Sequence, residues 1–120
     1  MSYDLTKITY FQFDNLVQNR ISFLLVHDGL DFARLYPMST ERSHLERWSF
    51  DLDFDQSSMS DVSVRLKERG VPLTIPVVIA SKSPRSLSGW AADFEKSGFM
   101  NVHTIDQGWD ALVREAQEAR

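Results

Sequence analysis

Apolar and polar residues follow two different periods along this chain, and the two periods alternate. Residues 21–26 (ISFLLV) and 75–80 (IPVVIA) are apolar almost throughout, which is typical of central strands covered on both faces. Between and around these runs lie stretches in which apolar residues recur at helical spacing. The pattern therefore predicts helices that alternate with strands.

Five amphipathic segments are predicted as helices. They span residues 9–20, 31–37, 57–70, 87–99 and 108–120. The apolar positions expected to face the core are Phe11, Phe13 and Leu16, then Phe32, Leu35 and Tyr36, then Met59, Val62 and Leu66, then Leu87, Trp90, Ala91 and Phe94, and finally Trp109, Leu112 and Val113. Pro37 should end the second helix, Ser58 or Ser60 should cap the third, and Gly70 should close it.

Two further segments are predicted as strands of different character. In residues 47–55 the apolar and polar side chains alternate strictly, which indicates a strand with one solvated face near the edge of the sheet. The apolar set is Trp48, Phe50, Leu52 and Phe54, and the polar set is Ser49, Asp51, Asp53 and Asp55. Residues 101–105 (NVHTI) are a short strand. The order of elements predicts an α/β fold: one domain over residues 1–120, with a mostly parallel central sheet flanked by helices on both faces.

Composition and charge narrow the function classes. The 120 residues carry a formal charge of −4, which argues against a nucleic-acid partner because such partners select a basic surface. There is no cysteine, so disulfides, thiolate metal sites and thiol chemistry are excluded. No apolar run is long enough to span a membrane, and the first ten residues lack the features of a secretory signal. We expect a cytoplasmic protein.

The loop between the strand at residues 75–80 and the following helix is the main candidate for chemistry. It comprises the strand end and six loop positions: Ala80, Ser81, Lys82, Ser83, Pro84, Arg85 and Ser86. Backbone N–H groups at a helix start, together with two cationic side chains, are what a small oxyanion such as phosphate or sulfate prefers. Pro84 removes one donor, however, and no glycine lets the backbone wrap tightly around a phosphate.

The second half of the chain resembles the rhodanese-like (sulfurtransferase) family. The family pattern is an apolar strand PVVVYC, a loop that ends in Arg-Ser, an alanine-rich helix, GF-x-NV and a turn with two glycines. Here the corresponding stretches are PVVIAS, SPRS, WAADFEKSGFMNV and IDQGWDAL, in the same order over about 40 residues. The first half resembles the family more weakly, through ISFLLVHDG and RSHLERWSFDLDF.

The sequence departs from the family where the family's chemistry lies. In the ungapped register the nucleophilic cysteine falls on Ser81 and the loop arginine on Ser86; holding Arg85 in the arginine position instead places the cysteine on Ala80. The strand-end Asp-Val-Arg becomes Val-His-Asp, and the first of the paired glycines is replaced. The resemblance points to four neighbours of the loop: His27, Asp28, Gly108 and Trp109. All three tryptophans are expected in the core, and Trp109 is the likeliest of them to be partly exposed beside the loop.

A serine oxygen cannot carry the sulfane sulfur that a rhodanese thiolate holds, so we expect no sulfur transfer and assign no catalytic residue or cofactor. Ser81 could instead be a nucleophile activated by His27 with Asp28 or Asp51, although the loop lacks the glycines of a nucleophile elbow. The simpler interpretation is that Ser81 and Ser83 satisfy turn and cap positions.

No metal site is expected either. The carboxylates of Asp51, Asp53 and Asp55 could in principle bind Mg²⁺ or Ca²⁺, but their alternation with apolar residues is that of a solvated strand face. The three histidines are scattered without metal-ligand spacing.

Two function classes therefore remain. The favoured hypothesis is a catalytically inactive rhodanese-like domain that binds a protein partner, or a second copy of itself, as a regulatory or scaffolding module. The alternative is an oxyanion sensor, or a non-thiol enzyme, that uses the loop at residues 81–86.

Overall fold

Residues 7–119 are described in a computed structural model, where helices and strands alternate. In chain order the elements are α1 (Tyr10–Gln18), β1 (Leu24–His27), α2 (Phe32–Leu35), α3 (Ser39–Arg47), β2 (Ser49–Asp51), α4 (Met59–Glu68), β3 (Val77–Ala80), α5 (Ser88–Lys96), β4 (Val102–Ile105) and α6 (Trp109–Glu118). The segment before Lys7, which includes most of the stretch judged to lack a secretory signal, lies outside the described residues, as does Arg120 at the end of the last predicted helix.

The four strands form one sheet in the order β2-β1-β3-β4, and every pair in it is parallel. This confirms the predicted α/β fold with a parallel sheet. The two fully apolar runs supply the central strands, in which every residue is buried. The alternating segment supplies an edge strand, as predicted from its one polar face.

Helices cover both faces of the sheet, as predicted. On one face α1, α2, α3 and α6 pack against Leu25, Val78 and Ile105. On the other face α4 and α5 pack against Leu24, Val26, Val77 and Ile79. Successive strand residues point to opposite faces, and this is why two complete cores can share four short strands.

Local signals position most helix ends where the sequence placed them. Thr9 and Gln12 form a reciprocal capping box at the start of α1, and the Ser58 hydroxyl accepts a hydrogen bond from the Asp61 backbone N–H of α4. The chain leaves α4 through Gly70, whose φ of +72° suits glycine. The short helix α2 ends before Pro37, as its sequence required.

The inward face of α1 was predicted only in part: Phe13 is buried as expected and Leu16 packs against the core, but Phe11 does not. Phe11 was expected to face the core but its side chain is 61% exposed, and Leu16 is only half-buried. The buried residues are Tyr10, Phe13 and Val17, which follow the i, i+3, i+7 spacing of one helical stripe. Five of the nine residues of this helix are apolar, so two different apolar stripes are possible, and only packing against the sheet selects one.

Helix α3 was not predicted. Its sequence STERSHLER contains one apolar residue, Leu45, so no hydrophobic period marks it. Strand β2 is also shorter than predicted, because a turn follows it in which the Asp53 carboxylate accepts hydrogen bonds from the backbone N–H groups of Asp55 (2.8 Å) and Gln56 (3.3 Å). The predicted alternation nevertheless holds, since Phe50, Leu52 and Phe54 are buried and the three aspartates are exposed.

Within residues 7–119, no helix combines the length and the apolar character needed to cross a membrane.

Candidate functional site

The order of the strands places the candidate site. After β1 the chain moves outward to β2 and then crosses back to β3 on the other side of β1, so the direction of winding changes between β1 and β3. In open α/β sheets, ligands bind outside the carboxyl ends of the strands at such a switch point. Here the two carboxyl ends bring His27 and Asp28 next to Ala80 and Ser81.

The Asp28 carboxylate bridges this switch point. Its Oδ2 accepts a hydrogen bond from the Ser81 hydroxyl at 2.8 Å, and its Oδ1 accepts one from the Lys82 backbone N–H at 2.8 Å. The same Ser81 oxygen accepts a hydrogen bond from the Ser83 backbone N–H at 3.3 Å. Ser81 is 1% exposed, so its hydroxyl is a buried structural link between β1 and the loop at residues 81–86.

A second carboxylate holds the far end of the loop. The Arg85 backbone N–H donates to the Asp106 carbonyl oxygen at 3.0 Å, and the Leu87 backbone N–H donates to Asp106 Oδ1 at 3.2 Å. The other carboxylate oxygen of Asp106 forms an ion pair with Lys7 at 3.4 Å. Asp106 directly follows β4, and sequence reasoning missed it because nothing local links it to residues 19 to 21 positions earlier.

The cationic side chains of the loop have different surroundings. The Arg85 guanidinium forms two hydrogen bonds to the Asp55 carboxylate, at 2.7 and 3.4 Å, and lies 5.7 Å from the Phe54 ring centroid. This hydrogen bonding lowers the pKa of the Asp55 carboxyl and raises the pKa of Arg85. Lys82 extends beside Gly29 and makes no ion pair within residues 7–119.

His27 has a structural role in the next loop. Its Nδ1 accepts hydrogen bonds from the backbone N–H groups of Gly29 (3.1 Å) and Leu30 (3.2 Å), and its ring packs edge-on against Phe32 with centroids 5.1 Å apart. Burial lowers the pKa of His27, although the charges of Asp51 and Asp28 oppose this. Because Nδ1 accepts two hydrogen bonds, the ring is neutral and carries its proton on Nε2.

The possible catalytic triad of Ser81, His27 and Asp28 or Asp51 is therefore not assembled. No hydrogen bond joins His27 to Ser81 in the described chain, and the Ser81 hydroxyl donates to Asp28 instead. Ser81 therefore has no histidine base positioned to take its proton. The contacts support one half of the simpler interpretation, since the Ser81 oxygen accepts the Ser83 backbone N–H within the turn. The other half is wrong, because the N-cap of α5 is Leu87 and no side chain caps that helix.

The start of α6 closes the loop from the side. Gly108 has a φ of +88°, and a Cβ on it would lie 2.8 Å from the backbone nitrogen of Pro84. The Trp109 backbone N–H donates to the Lys82 carbonyl oxygen at 3.3 Å. Gly108 is therefore required where the loop and α6 approach each other most closely.

Trp109 was expected to face the core and, of the three tryptophans, to be the likeliest to be partly exposed. Its place in the core is confirmed, but the partial exposure is wrong. Its side chain is 2% exposed, since the indole packs edge-on against Phe13 and Phe32. The indole N–H donates to the Asp31 carbonyl oxygen at 3.0 Å, which satisfies its polar atom inside the core.

An open crevice of about 390 Å³ lies over the switch point. It is lined by Asp28, Asp51, Leu52, Asp53, Phe54, Asp55, Lys82 and Arg85. Most of these charged groups already bind to the chain itself: Asp28 to the loop, Asp53 to its own turn, and Asp55 to Arg85. In the part of the chain that the structure describes, no three histidine, aspartate or glutamate side chains gather closely enough to hold a metal ion.

Comparison of the chain with protein-family models finds no match, and comparison with curated proteins finds no similar sequence.

Proposed function

We propose that this chain is a non-catalytic module that binds a protein partner, with the rhodanese-like resemblance as the origin of its vestigial loop. One observation carries the proposal: the loop at residues 81–86 is closed by the chain's own carboxylates. Asp28 binds its start and Asp106 binds its end. A loop whose Lys82, Ser83 and Arg85 backbone donors are already used has little left to offer a substrate.

The same contacts weigh against the oxyanion alternative. The backbone N–H groups of Lys82, Ser83, Arg85 and Leu87 all donate to oxygen atoms of the protein. An incoming phosphate or sulfate would have to displace the Asp28 carboxylate, whose negative charge also repels it. Lys82 is the one loop side chain whose charge could still attract an anion, and a single exposed lysine provides a weak site.

Membership of the rhodanese-like family is part of the proposal. The parallel α/β sheet and the order of strand, loop and helix around β3 support it, and so does the position of the loop at a strand's carboxyl end. The absence of cysteine from the whole sequence supports a role without sulfur transfer. The buried Ser81 hydroxyl, bonded to a carboxylate, has no path to a substrate sulfur atom.

Two measurements test the proposal. With thiosulfate and cyanide as substrates, the purified chain should form thiocyanate no faster than buffer does. Titration with phosphate or sulfate should leave the amide resonances of residues 81–86 unshifted at about 10 mM anion, a concentration that would reveal binding tighter than millimolar. Turnover above buffer, or saturable shifts confined to these residues, would refute the closed-loop argument.

The partner itself is sought by affinity capture from the native host, followed by binding of the purified partner to the purified chain. The matched control is the chain with Asp28→Asn. We expect it to bind the partner as well as the wild type, because the proposal places recognition on the surface and not in the loop. Loss of partner binding in this variant alone would return the function to the loop.

A further inference from the structure

Among residues 7–119, no strand pairs with the outer edge of β2. The Leu25 backbone N–H donates to the Trp48 carbonyl oxygen (3.2 Å), and the Leu52 N–H donates to that of His27 (2.8 Å). Alternate residues of a parallel strand bond to the same neighbour, so positions 48, 50 and 52 bond to β1. Ser49 and Asp51 therefore direct their backbone N–H and C=O groups away from the sheet.

Arg65 of α4 and Arg69, the C-cap residue of the same helix, lie beside this edge. The guanidinium carbons of Arg65 and Arg69 lie 4.5 and 5.9 Å from the centroid of the Phe50 ring, which holds them in place by cation–π contact. Arg69 also donates to the Ser49 carbonyl oxygen at 2.9 Å. Neither arginine forms an ion pair with any residue between 7 and 119.

A groove of about 340 Å³ runs along the edge. It is lined by Ser49, Phe50, Asp51, Arg65, Glu68 and Arg69. Its charged groups comprise two cations and two carboxylates, so the lining as a whole is neutral. A groove with both signs and an open strand edge suits a surface of the same composition better than a strongly acidic or basic partner.

We propose that this edge pairs with the same edge of a second copy of the chain, related by a two-fold axis beside Phe50. In an antiparallel pair centred there, Ser49 of one copy lies opposite Asp51 of the other, and their outward N–H and C=O groups bond reciprocally. The carbonyl oxygen of Ser49 has a second lone pair, so its hydrogen bond from Arg69 does not block the pairing.

The charges of α4 follow the same symmetry. Because both arginines lie over Phe50, and Arg65 lies closer to it than Arg69 does, the last turn of α4 from Arg65 to Glu68 is level with the proposed axis. The axis then sets the two α4 helices side by side in opposite directions. Arg65 of each copy approaches Glu68 of the other, so the contact contains two equivalent ion pairs.

The contact is small. Three strand residues and one helical turn on each side make an interface well below the roughly 1,600 Å² of a standard stable complex. We therefore expect a weak, reversible dimer with an eight-stranded sheet. It stands apart from the proposed partner binding, since a chain that fails to dimerise can still capture a partner on another surface.

Sedimentation equilibrium of the wild-type chain, from about 10 µM to about 1 mM, tests the proposal over the range expected for such contacts. The mean mass should rise towards that of two chains. Arg65→Glu alone and Glu68→Arg alone should each weaken association at least tenfold, because each sets like charges opposite one another in both pairs. An equimolar mixture of the two variants should restore association, since all four facing charges are then complementary.

Two control variants reverse a charge of the same kind on helices α5 and α6, away from the β2 edge. Arg114→Glu on α6 and Glu95→Arg on α5 alter exposed side chains far from the β2 edge in sequence and should associate as the wild type does. A wild-type chain that stays monomeric throughout the range would overturn the proposal. So would reversal variants that associate as well as the controls, or a mixture that fails to regain association.

A backbone measurement checks the register without any substitution. Amide hydrogen exchange at Ser49 and Asp51 should slow with rising protein concentration, while exchange at exposed amides of α5 should not change. Slowing elsewhere with none at these two amides would also overturn the proposal, because it would place the contact on another surface.

Discussion

The loop at residues 81–86 and the outer edge of β2 both present backbone donors and arginine side chains beyond the regular sheet. In the loop, the donors bind Asp28 and Asp106, and Arg85 binds Asp55. At the β2 edge, two backbone positions face outward and Arg65 has no ion-pair partner among the described residues. The region that resembles an active site is therefore closed, and the region without a motif is open.

This comparison shows that residue types alone do not identify a binding site. Lys82 and Arg85 beside a helix start form a plausible anion site in the sequence, yet carboxylates more than 15 residues away complete it internally. The arginines of α4 are ordinary polar positions on an amphipathic helix until packing places them over Phe50. Whether a polar group is available depends on the neighbours that the fold supplies.

The largest expected loss of stability comes from disrupting the close contact between α6 and the loop at residues 81–86. Gly108→Ala places a Cβ 2.8 Å from the backbone nitrogen of Pro84, in a conformation with φ +88° and ψ 157° that is almost restricted to glycine. Strain and overpacking together should lower the free energy of unfolding by about 4 kcal/mol. Urea denaturation of the variant and of the wild type measures this difference in the free energy of unfolding.

Gly89→Ala is the matched control for this substitution. Gly89 lies in α5 with ordinary backbone dihedrals and open space where a Cβ would point. The substitution should stabilise the protein by about 0.5 kcal/mol, because alanine loses less backbone entropy than glycine when it enters a helix. Equal effects at the two glycines would mean that the loop does not press against α6.

The second largest loss of stability is expected from removing the Asp28 carboxylate. Asp28→Ala leaves the buried Ser81 hydroxyl and the Lys82 N–H without their acceptor and should cost about 2 kcal/mol of unfolding free energy. The emptied position should then accept a small anion, so acetate or phosphate should raise the melting temperature of this variant and shift its amide resonances at residues 81–86.

The anion response of Asp28→Ala is compared with that of the wild type and of a control variant. Wild type and Glu95→Ala, which removes an exposed carboxylate from α5, should show neither the anion-dependent stabilisation nor the shifts. If Asp28→Ala also fails to respond to any of the anions, the loop is not an anion cradle even when open, and its resemblance to one is only in sequence.

The smallest expected effect concerns pH and His27, which lies between the two regions. Above the unfolded-state pKa near 6.5, the ring is neutral in both states and its full contribution to stability is present. Because burial lowers the pKa of His27 in the folded state, the unfolded chain takes up the proton first as the pH falls. The free energy of unfolding should therefore decrease below pH 6.5, by at most about 1.4 kcal/mol per pH unit, until the folded-state pKa is passed.

His27→Asn isolates this contribution. Its amide oxygen can accept the hydrogen bonds from Gly29 and Leu30 but does not titrate. Subtracting the pH profile of the variant from that of the wild type leaves the contribution of the His27 ring. Parallel profiles between pH 7 and pH 5 would contradict the lowered pKa.

Much of the fold could be predicted from particular residues. The apolar runs of β1 and β3 predicted two buried central strands, and the alternation around Phe50 predicted an edge strand with one solvated face. Caps at Thr9 and Ser58 and the turn at Gly70 set helix ends through contacts within a few residues. These features depend on short-range chemistry, which the order of residues records directly.

The candidate site was predicted only in part. The loop and its neighbours Asp28 and Gly108 were found, because strand, loop and helix follow each other in the chain. The role of Asp106 and the exposure of Phe11 were missed, as was α3 with its single buried Leu45. Each depends on contacts between elements distant in sequence.

The sequence by itself determined the alternation of helices and strands, the absence of thiol chemistry and the position of the loop. Tertiary structure decided which α1 stripe faces the core, which carboxylates close the loop and which arginines remain unpaired. The reason is physical: periodicity and capping act within one or two turns of chain, whereas hydrogen bonds such as that from Ser81 to Asp28 join residues far apart in sequence. Such pairs exist only once the strands have taken their order in the sheet.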